Sequence, residues 1–223
     1  MIITRFKDIV NNMHEYTFHI LGCGAIGSSV ATQLVRSGAE SFVLYDMDRV
    51  DVENIGVSQY LEEDIGKDKV MALCEQLKSI NLNANVATYY GRFDYNSYSP
   101  SLQNKDIVIL GFDSMSSRLE AVEIVCKDKA IKPLYIIDGR MGAEHYQQYT
   151  LKRPTVREYK SVWYSDEDGS TEPCNAKATS YCSNMSGSFI VNTIRKLITK
   201  QPYHKELSFH FPTMSLDKSR MIA

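Results

Sequence analysis

Apolar and polar positions along the chain fall into alternating rhythms. Residues 16–21 form a near-continuous apolar run, the pattern of a strand covered on both faces. Residues 28–36 then read as a helix, and Ser41-Phe-Val-Leu-Tyr45 predicts a second strand ending at Asp46. Over residues 68–80 the apolar positions Val70, Met71, Leu73, Cys74, Leu77 and Ile80 recur at helical spacing. Residues 81–85 predict a turn. Further strands are expected at 86–91, 106–112 and 133–138, with a helix over 116–129 between the last two. Strands separated by helices predict an α/β fold with a doubly wound, mostly parallel, Rossmann-like sheet. Beyond this the rhythm changes. Residues 144–151 alternate like a strand, and 153–173 read as a polar crossing loop carrying Asp166, Glu167 and Asp168. Residues 175–199 return to a helix interrupted by Gly187, and 207–211 suggest one more strand. The expected organisation is one domain over 1–223, with a nucleotide-binding core at 16–140 and the crossing loop, helix and extra strands at 141–223.

Between the first strand and helix lies Gly22-Cys23-Gly24-Ala25-Ile26-Gly27. Glycines in such a turn let main-chain N–H groups approach a nucleotide, and the helix start offers unpaired donors. An acid after the second strand accepts from ribose hydroxyls. The glycine spacing alone is weak, but the preceding strand, the following helix and Asp46 about twenty residues on all fall in place. Gly22, Gly24, Ala25, Ile26, Gly27 and Asp46 are therefore the first candidate nucleotide contacts; a turn serving only tight packing is the rival reading.

Composition narrows the partners. The chain has 223 residues, 43% hydrophobic and 23% charged, with net charge −2, so it presents no basic field for nucleic acid. No run approaches the roughly 20 apolar residues of a membrane helix, and the amino terminus lacks a signal-peptide core, so a cytoplasmic protein without membrane contact is expected. Five cysteines without a C-x-x-C pair argue against a disulfide framework and a paired-knuckle zinc site. Cys74, Cys126 and Cys182 read as core, and Cys23 as small filler. The five histidines share no ligand spacing, and His19 reads as a satisfied strand histidine.

A more specific pattern follows the glycine turn. Asp46-Met-Asp48-Arg-Val50 with Glu53-Asn54, then Asp64-Ile-Gly66-Lys-Asp-Lys69, then Gly111-Phe-Asp113 with Arg118 five residues later, resembles the ThiF/MoeB superfamily of ubiquitin-activating (E1-like) adenylyltransferases. The resemblance covers roughly 16–139, with a fainter echo over 173–200. An ordinary dehydrogenase needs only the first acid. The resemblance implies adenylation of a carboxylate with ATP and Mg2+, releasing pyrophosphate. It further implies that Lys69 contacts the phosphates, Asp113 holds magnesium and Asp46 accepts from the ribose. Asn54 and Asp48 would shape the neighbouring pocket, and Arg118 would support Asp113. Cys174, in Pro173-Cys174-Asn-Ala-Lys177, stands where relatives carry an acceptor for a thioester or persulfide; its bland rival is a small core residue. The implied partner is a ubiquitin-like or sulfur-carrier protein or a peptide with a C-terminal glycine, and the implied assembly is a homodimer.

Other readings stay open at single positions. Lys69 also fits a solvated helix-start lysine beside Lys67, Asp113 fits a cap for the next helix, and Asp48 fits a turn. The family pattern is also incomplete. No arginine lies between Asn54 and Lys69, and Ser114 stands where an asparagine is usual. Arg5, Arg118 or an arginine from a partner subunit would have to complete the phosphate clamp. A catalytically silent nucleotide- or protein-binding member and an NAD-dependent oxidoreductase are thus the rival functions.

Overall fold

The computed structural model describes residues 5–94, 102–168 and 178–222. In chain order its elements are β1 (Thr17–Leu21), α1 (Ala25–Arg36), β2 (Ser41–Asp46), α2 (Val52–Ile55), α3 (Lys69–Ile80), β3 (Asn85–Tyr90), β4 (Ile107–Leu110) and α4 (Met115–Val125). There follow β5 (Tyr135–Gly142), β6 (His145–Lys152), α5 (Val156–Lys160), α6 (Ser180–Ile198), β7 (Tyr203–His204), β8 (Glu206–His210), β9 (Ser215–Lys218) and β10 (Met221–Ile222). Eight strands make one sheet in the order β3-β2-β1-β4-β5-β6-β8-β9, and β10 pairs with β7 separately. The first five of that order run parallel; β6, β8 and β9 are antiparallel additions.

Alternation along the strands explains the two cores. Phe18, Ile20, Phe42, Leu44, Ile107, Ile109 and Ile137 join one cluster with apolar residues of α1, α3 and α6. Leu21, Val43, Tyr45, Val108, Leu110 and Ile136 join a second with residues of α4 and with Tyr159 of α5. Successive residues point to opposite faces, so both faces must be covered. The buried His19 is satisfied as expected, its Nε2 3.0 Å from Asp106 Oδ2.

Sheet order reverses between β1 and β4, the kind of switch point where open α/β sheets bind ligands. Leu21 pairs with Tyr45 on one side and Leu110 on the other. The carboxyl ends of β1, β2 and β4 therefore lie side by side, and with them Gly22, Asp46 and Gly111.

Several boundaries differ from the sequence reading. Helix α6 runs straight through Gly187: a Cβ there would lie 2.3 Å from Ser29 Oγ and 2.6 Å from Gln33 Nε2. That glycine is a close contact between α1 and α6, which periodicity alone reads as a break. The expected crossing loop contains α5, started by Thr155, whose side chain accepts from Glu158 N. Strand β5 continues past Asp138 to Gly142 and returns as β6 through Ala143 at φ 51°. Strands β7, β9 and β10 carry no periodicity strong enough to announce them. Among the described residues no helix is long and apolar enough to cross a membrane.

Candidate functional site

The four glycines nearest the switch point divide into two kinds. Gly22 adopts φ +93°, and a Cβ on it would come within 2.7 Å of the Gly111 carbonyl carbon. A Cβ on Gly27 would lie 1.9 Å from Gly22 O, and one on Gly111 2.8 Å from the same oxygen. These three exist because the exits of β1 and β4 and the first turn of α1 touch backbone to backbone. Gly24 has nothing within 4 Å of the position a Cβ would take. It is the N-cap of α1 and caps it with no side chain, so the helix start faces open space. Ile26 is buried in the core, while Ala25 is half-buried beside Gly24.

Asp46 closes this turn from the end of β2. Its Oδ2 accepts from Cys23 N at 2.7 Å and its Oδ1 from Asp48 N at 2.8 Å. Burial raises its pKa, against the Asp48 N–H and the nearby Lys69 charge, which lower it. The Cys23 thiol is wholly buried, and burial first, then Asp46, push its pKa well up, so it is filler and no nucleophile. Tyr60 ties the turn to α3: its hydroxyl donates to Cys23 O at 2.6 Å and to Lys69 O at 3.2 Å.

Lys69 is the first residue of α3 and is buried, its Nζ 2.9 Å from Asp48 Oδ2. Lys67 is the solvated one of the pair, bonded to Asp64 and Glu75. Asn54 sits in α2, where its Oδ1 accepts from Asp51 N at 2.9 Å in a capping box.

Asp113 lies three residues beyond the end of β4, is exposed, and has no side-chain partner among the described residues. The capping role is filled elsewhere. Ser114 is the N-cap of α4, accepting from Ser117 N at 3.2 Å. Asp166 of the crossing segment takes the Met115 and Ser116 N–H groups at 2.5 and 3.1 Å, and Trp163 Nε1 donates to Met115 O at 2.7 Å. The Met115 N–H chiefly lowers the pKa of Asp166. That acid, read from the sequence only as part of a polar crossing loop, is docked on a helix start.

Arg118 does not face the site as a phosphate clamp. It is buried, and its guanidinium donates to Asp138, to Leu110 O at 3.3 Å and to Phe112 O. It thereby holds the β4 exit that leads into Asp113. Asp138 also accepts from Arg140 Nε at 2.9 Å, Arg140 Nη2 at 2.7 Å and Tyr159 Oη at 3.0 Å. Arg140 lies over the rings of Tyr149 and Tyr164 and donates to Val162 O at 2.9 Å. Arg5 is exposed. Cys174, with Pro173 and Lys177, lies outside the described residues. Cys126 and Cys182 are buried, each pushed up to about 11 by burial.

Sequence reasoning missed Tyr60, Arg140 and the role of Asp138. Asp138 was legible as an acid closing a strand; nothing in the chain marks Tyr60.

The comparisons with known proteins agree with this architecture. Residues 5–222 match the model that describes the ThiF family. Sulfur carrier protein adenylyltransferase of Thermus thermophilus is 26% identical over 131 residues, covering 57% of this chain and 48% of that protein. Ubiquitin-like modifier-activating enzyme 5 of Dictyostelium discoideum is 40% identical over 76 residues, covering 33% of this chain and 20% of that protein. The solved structure of E. coli MccB with ATP superposes with a TM-score of 0.73 at 17% identity, covering 94% of this chain and 65% of that one. The chain thus spans about half or less of these two curated relatives and just under two thirds of the solved chain.

Proposed function

The chain belongs to the ThiF family, and on that footing we propose that it is an adenylyltransferase that uses ATP to activate a carboxylate. The observation that carries this reading is the open space over Gly24, at the exit of β1, with Asp46 and Asp113 following the two strands that flank it. Asp46 accepts one backbone N–H on each oxygen, which leaves lone pairs for ribose hydroxyls. Gly24 lets a phosphate approach the helix start. Lys69 supplies a positive charge, and the unpartnered carboxylate of Asp113 suits a magnesium ion, which typically takes one or two protein carboxylates and completes its shell with phosphate and water.

The chemistry needs this set. A carboxylate oxygen bonds to the α-phosphorus, the bond to the bridging oxygen breaks, and pyrophosphate leaves with its electron pair. Anion meets anion, so a cation must offset the repulsion; Lys69 does so from the protein side. A magnesium ion, when bound, neutralises phosphate charge. Arg118 acts through the backbone by fixing Phe112 ahead of Asp113. The acceptor we infer is a ubiquitin-like or sulfur-carrier protein or a peptide ending in glycine, handled by a homodimer. Cys174 is the candidate thiol for a later thioester or persulfide.

The test is exchange of labelled pyrophosphate into ATP in the presence of a carboxylate partner, found by capture of small proteins ending in Gly-Gly. Asp113→Ala should lower exchange by roughly 10²-fold or more while the melting temperature stays put. Full exchange by that variant would sink the site assignment. One observation favours a second reading, a silent binding member: Arg118 is committed to Asp138 and to backbone carbonyls, and residues 55–68 contain no arginine. Nucleotide binding without exchange for any partner would support it.

A further inference from the structure

A buried ammonium must find an anion, because taking an unpaired charge out of water costs far more than a protein can spare. The side chain of Lys69 is only 10% exposed, and its anion is Asp48 at 2.9 Å. Asp46 is occupied by the N–H groups of Cys23 and Asp48. The two partners are also joined through the backbone, Lys69 N donating to Asp48 O at 3.0 Å, with Arg49 and Asp68 paired alongside at 3.2 Å. The pair is unequal. The Asp48 side chain is 56% exposed, so its carboxylate keeps much of its hydration and loses little by letting go.

We propose that Asp48 is an internal stand-in for a nucleotide phosphate: it pairs with and positions the buried Lys69, and yields that ammonium to the polyphosphate of a nucleotide held by the glycine turn and, at its ribose, by Asp46. This deepens the nucleotide reading above and rests on it. The consequence is selectivity. A small anion must compete with a carboxylate fixed by the same backbone at high effective concentration, and it loses. A nucleotide brings further contacts and wins. Asp48 then sets an affinity threshold, common to all phosphate ligands, that only one with further contacts clears, where the resemblance implied a part in shaping the pocket.

Asp48→Asn keeps the side-chain shape and both main-chain hydrogen bonds but leaves the Lys69 ammonium without its anion, so a thermal melt of the variant accompanies the titrations. Calorimetric titration with inorganic tripolyphosphate, magnesium ATP and adenosine should show the first two binding about three- to tenfold more tightly to Asp48→Asn than to wild type. Adenosine should bind equally to both. Lys69→Ala should weaken ATP, and adding Asp48→Asn to it should restore nothing, because the two act as one pair. Weaker ATP binding by Asp48→Asn, or a gain that survives the loss of Lys69, would overturn the stand-in. ATP binding by wild type without any gain in Asp48→Asn would overturn the stand-in alone. Absence of ATP binding to a folded wild-type protein would overturn the nucleotide reading with it.

Discussion

Two clusters of charge stand at the carboxyl edge of one sheet, and they differ in how fully their groups are satisfied. Around Asp138, which is 0% exposed, two arginines and the Tyr159 hydroxyl converge on one carboxylate. The surplus positive charge is spread over the carbonyls of Leu110, Phe112 and Val162. Burial, then Asp138, hold the Tyr159 hydroxyl far from ionisation. Arg118 Nε is buried without a hydrogen-bond partner among the described residues, and the other guanidinium nitrogens of both arginines are bonded within the protein. Around Asp46, Asp48, Lys69 and Asp113 the same residue types are left partly unspent: Asp113 is exposed and unpartnered among the described residues, Asp48 is half in water, and Gly24 opens onto space. Charge satisfied within the protein suits a scaffold, and charge left unsatisfied beside it marks the candidate site.

The contrast is broken most directly at Asp138. Asp138→Asn leaves two buried guanidinium groups facing one neutral amide, and removal of one partner from a buried ion pair costs about 3–5 kcal/mol. For a chain of this size the thermal midpoint should fall by on the order of 10 °C. A melt indistinguishable from wild type would show that the buried cluster is no scaffold, and that saturation does not separate the two.

The glycines sharpen the same contrast at smaller cost. Gly27→Ala drives a methyl to within 1.9 Å of Gly22 O, backbone against backbone, and should destabilise by about 1–3 kcal/mol, with nucleotide binding lost through the fold. Gly24→Ala meets no atom within 4 Å, and its φ of −73°, though not its ψ of −147°, suits alanine, so it should cost about 1 kcal/mol. Its methyl nevertheless occupies the space we assign to phosphate, so ATP affinity should drop about tenfold, the price of a group held off its donors. Denaturant melts and nucleotide titration of both variants separate the roles. Equal effects on stability would mean that the open space over Gly24 has no special status.

How far the sequence foretold this depends on what each residue is for. The parallel half was legible because strands covered on both faces leave apolar runs, and because a ligand site reuses Gly, Asp and Lys at spacings set by strand and turn geometry. Its register brings Asp46 and Gly111 to either side of Gly22. In the antiparallel half β6 and β8 were legible, but β9 is exposed along its length and β7 and β10 are two residues each, too short for a period. Gly187 looked like a break because an α-helix interior disfavours glycine, and only the helix packed against it explains the choice. Arg118 was read as a support for Asp113 from its place in the sequence, and the structure has it bonded to Phe112 O just ahead of that residue; its ion-pair partner, Asp138, lies twenty residues on in another strand and was not foreseen. Tyr60 bridges two carbonyls that are distant in sequence, and no local pattern encodes that.

The mildest test falls between the two clusters. Asp166 is exposed like Asp113, yet it is spent on the first turn of α4 like a member of the scaffold. Loss of such a cap should cost about 1 kcal/mol, so Asp166→Ala should lower the thermal midpoint by a few degrees and leave Lys69 untouched. The pH dependence gives the sign. The Met115 N–H holds the native pKa of Asp166 below the ordinary value of 3.8, so the folded state favours the ionised acid. Its contribution is therefore complete above the unfolded carboxylate range and is lost as pH falls through the depressed native value. The gap between wild type and Asp166→Ala should be full at neutral pH and close on acidification. A gap that persists in strong acid would mean that the side chain acts through packing, and that exposure rather than saturation decides which carboxylates this edge of the sheet leaves for a ligand.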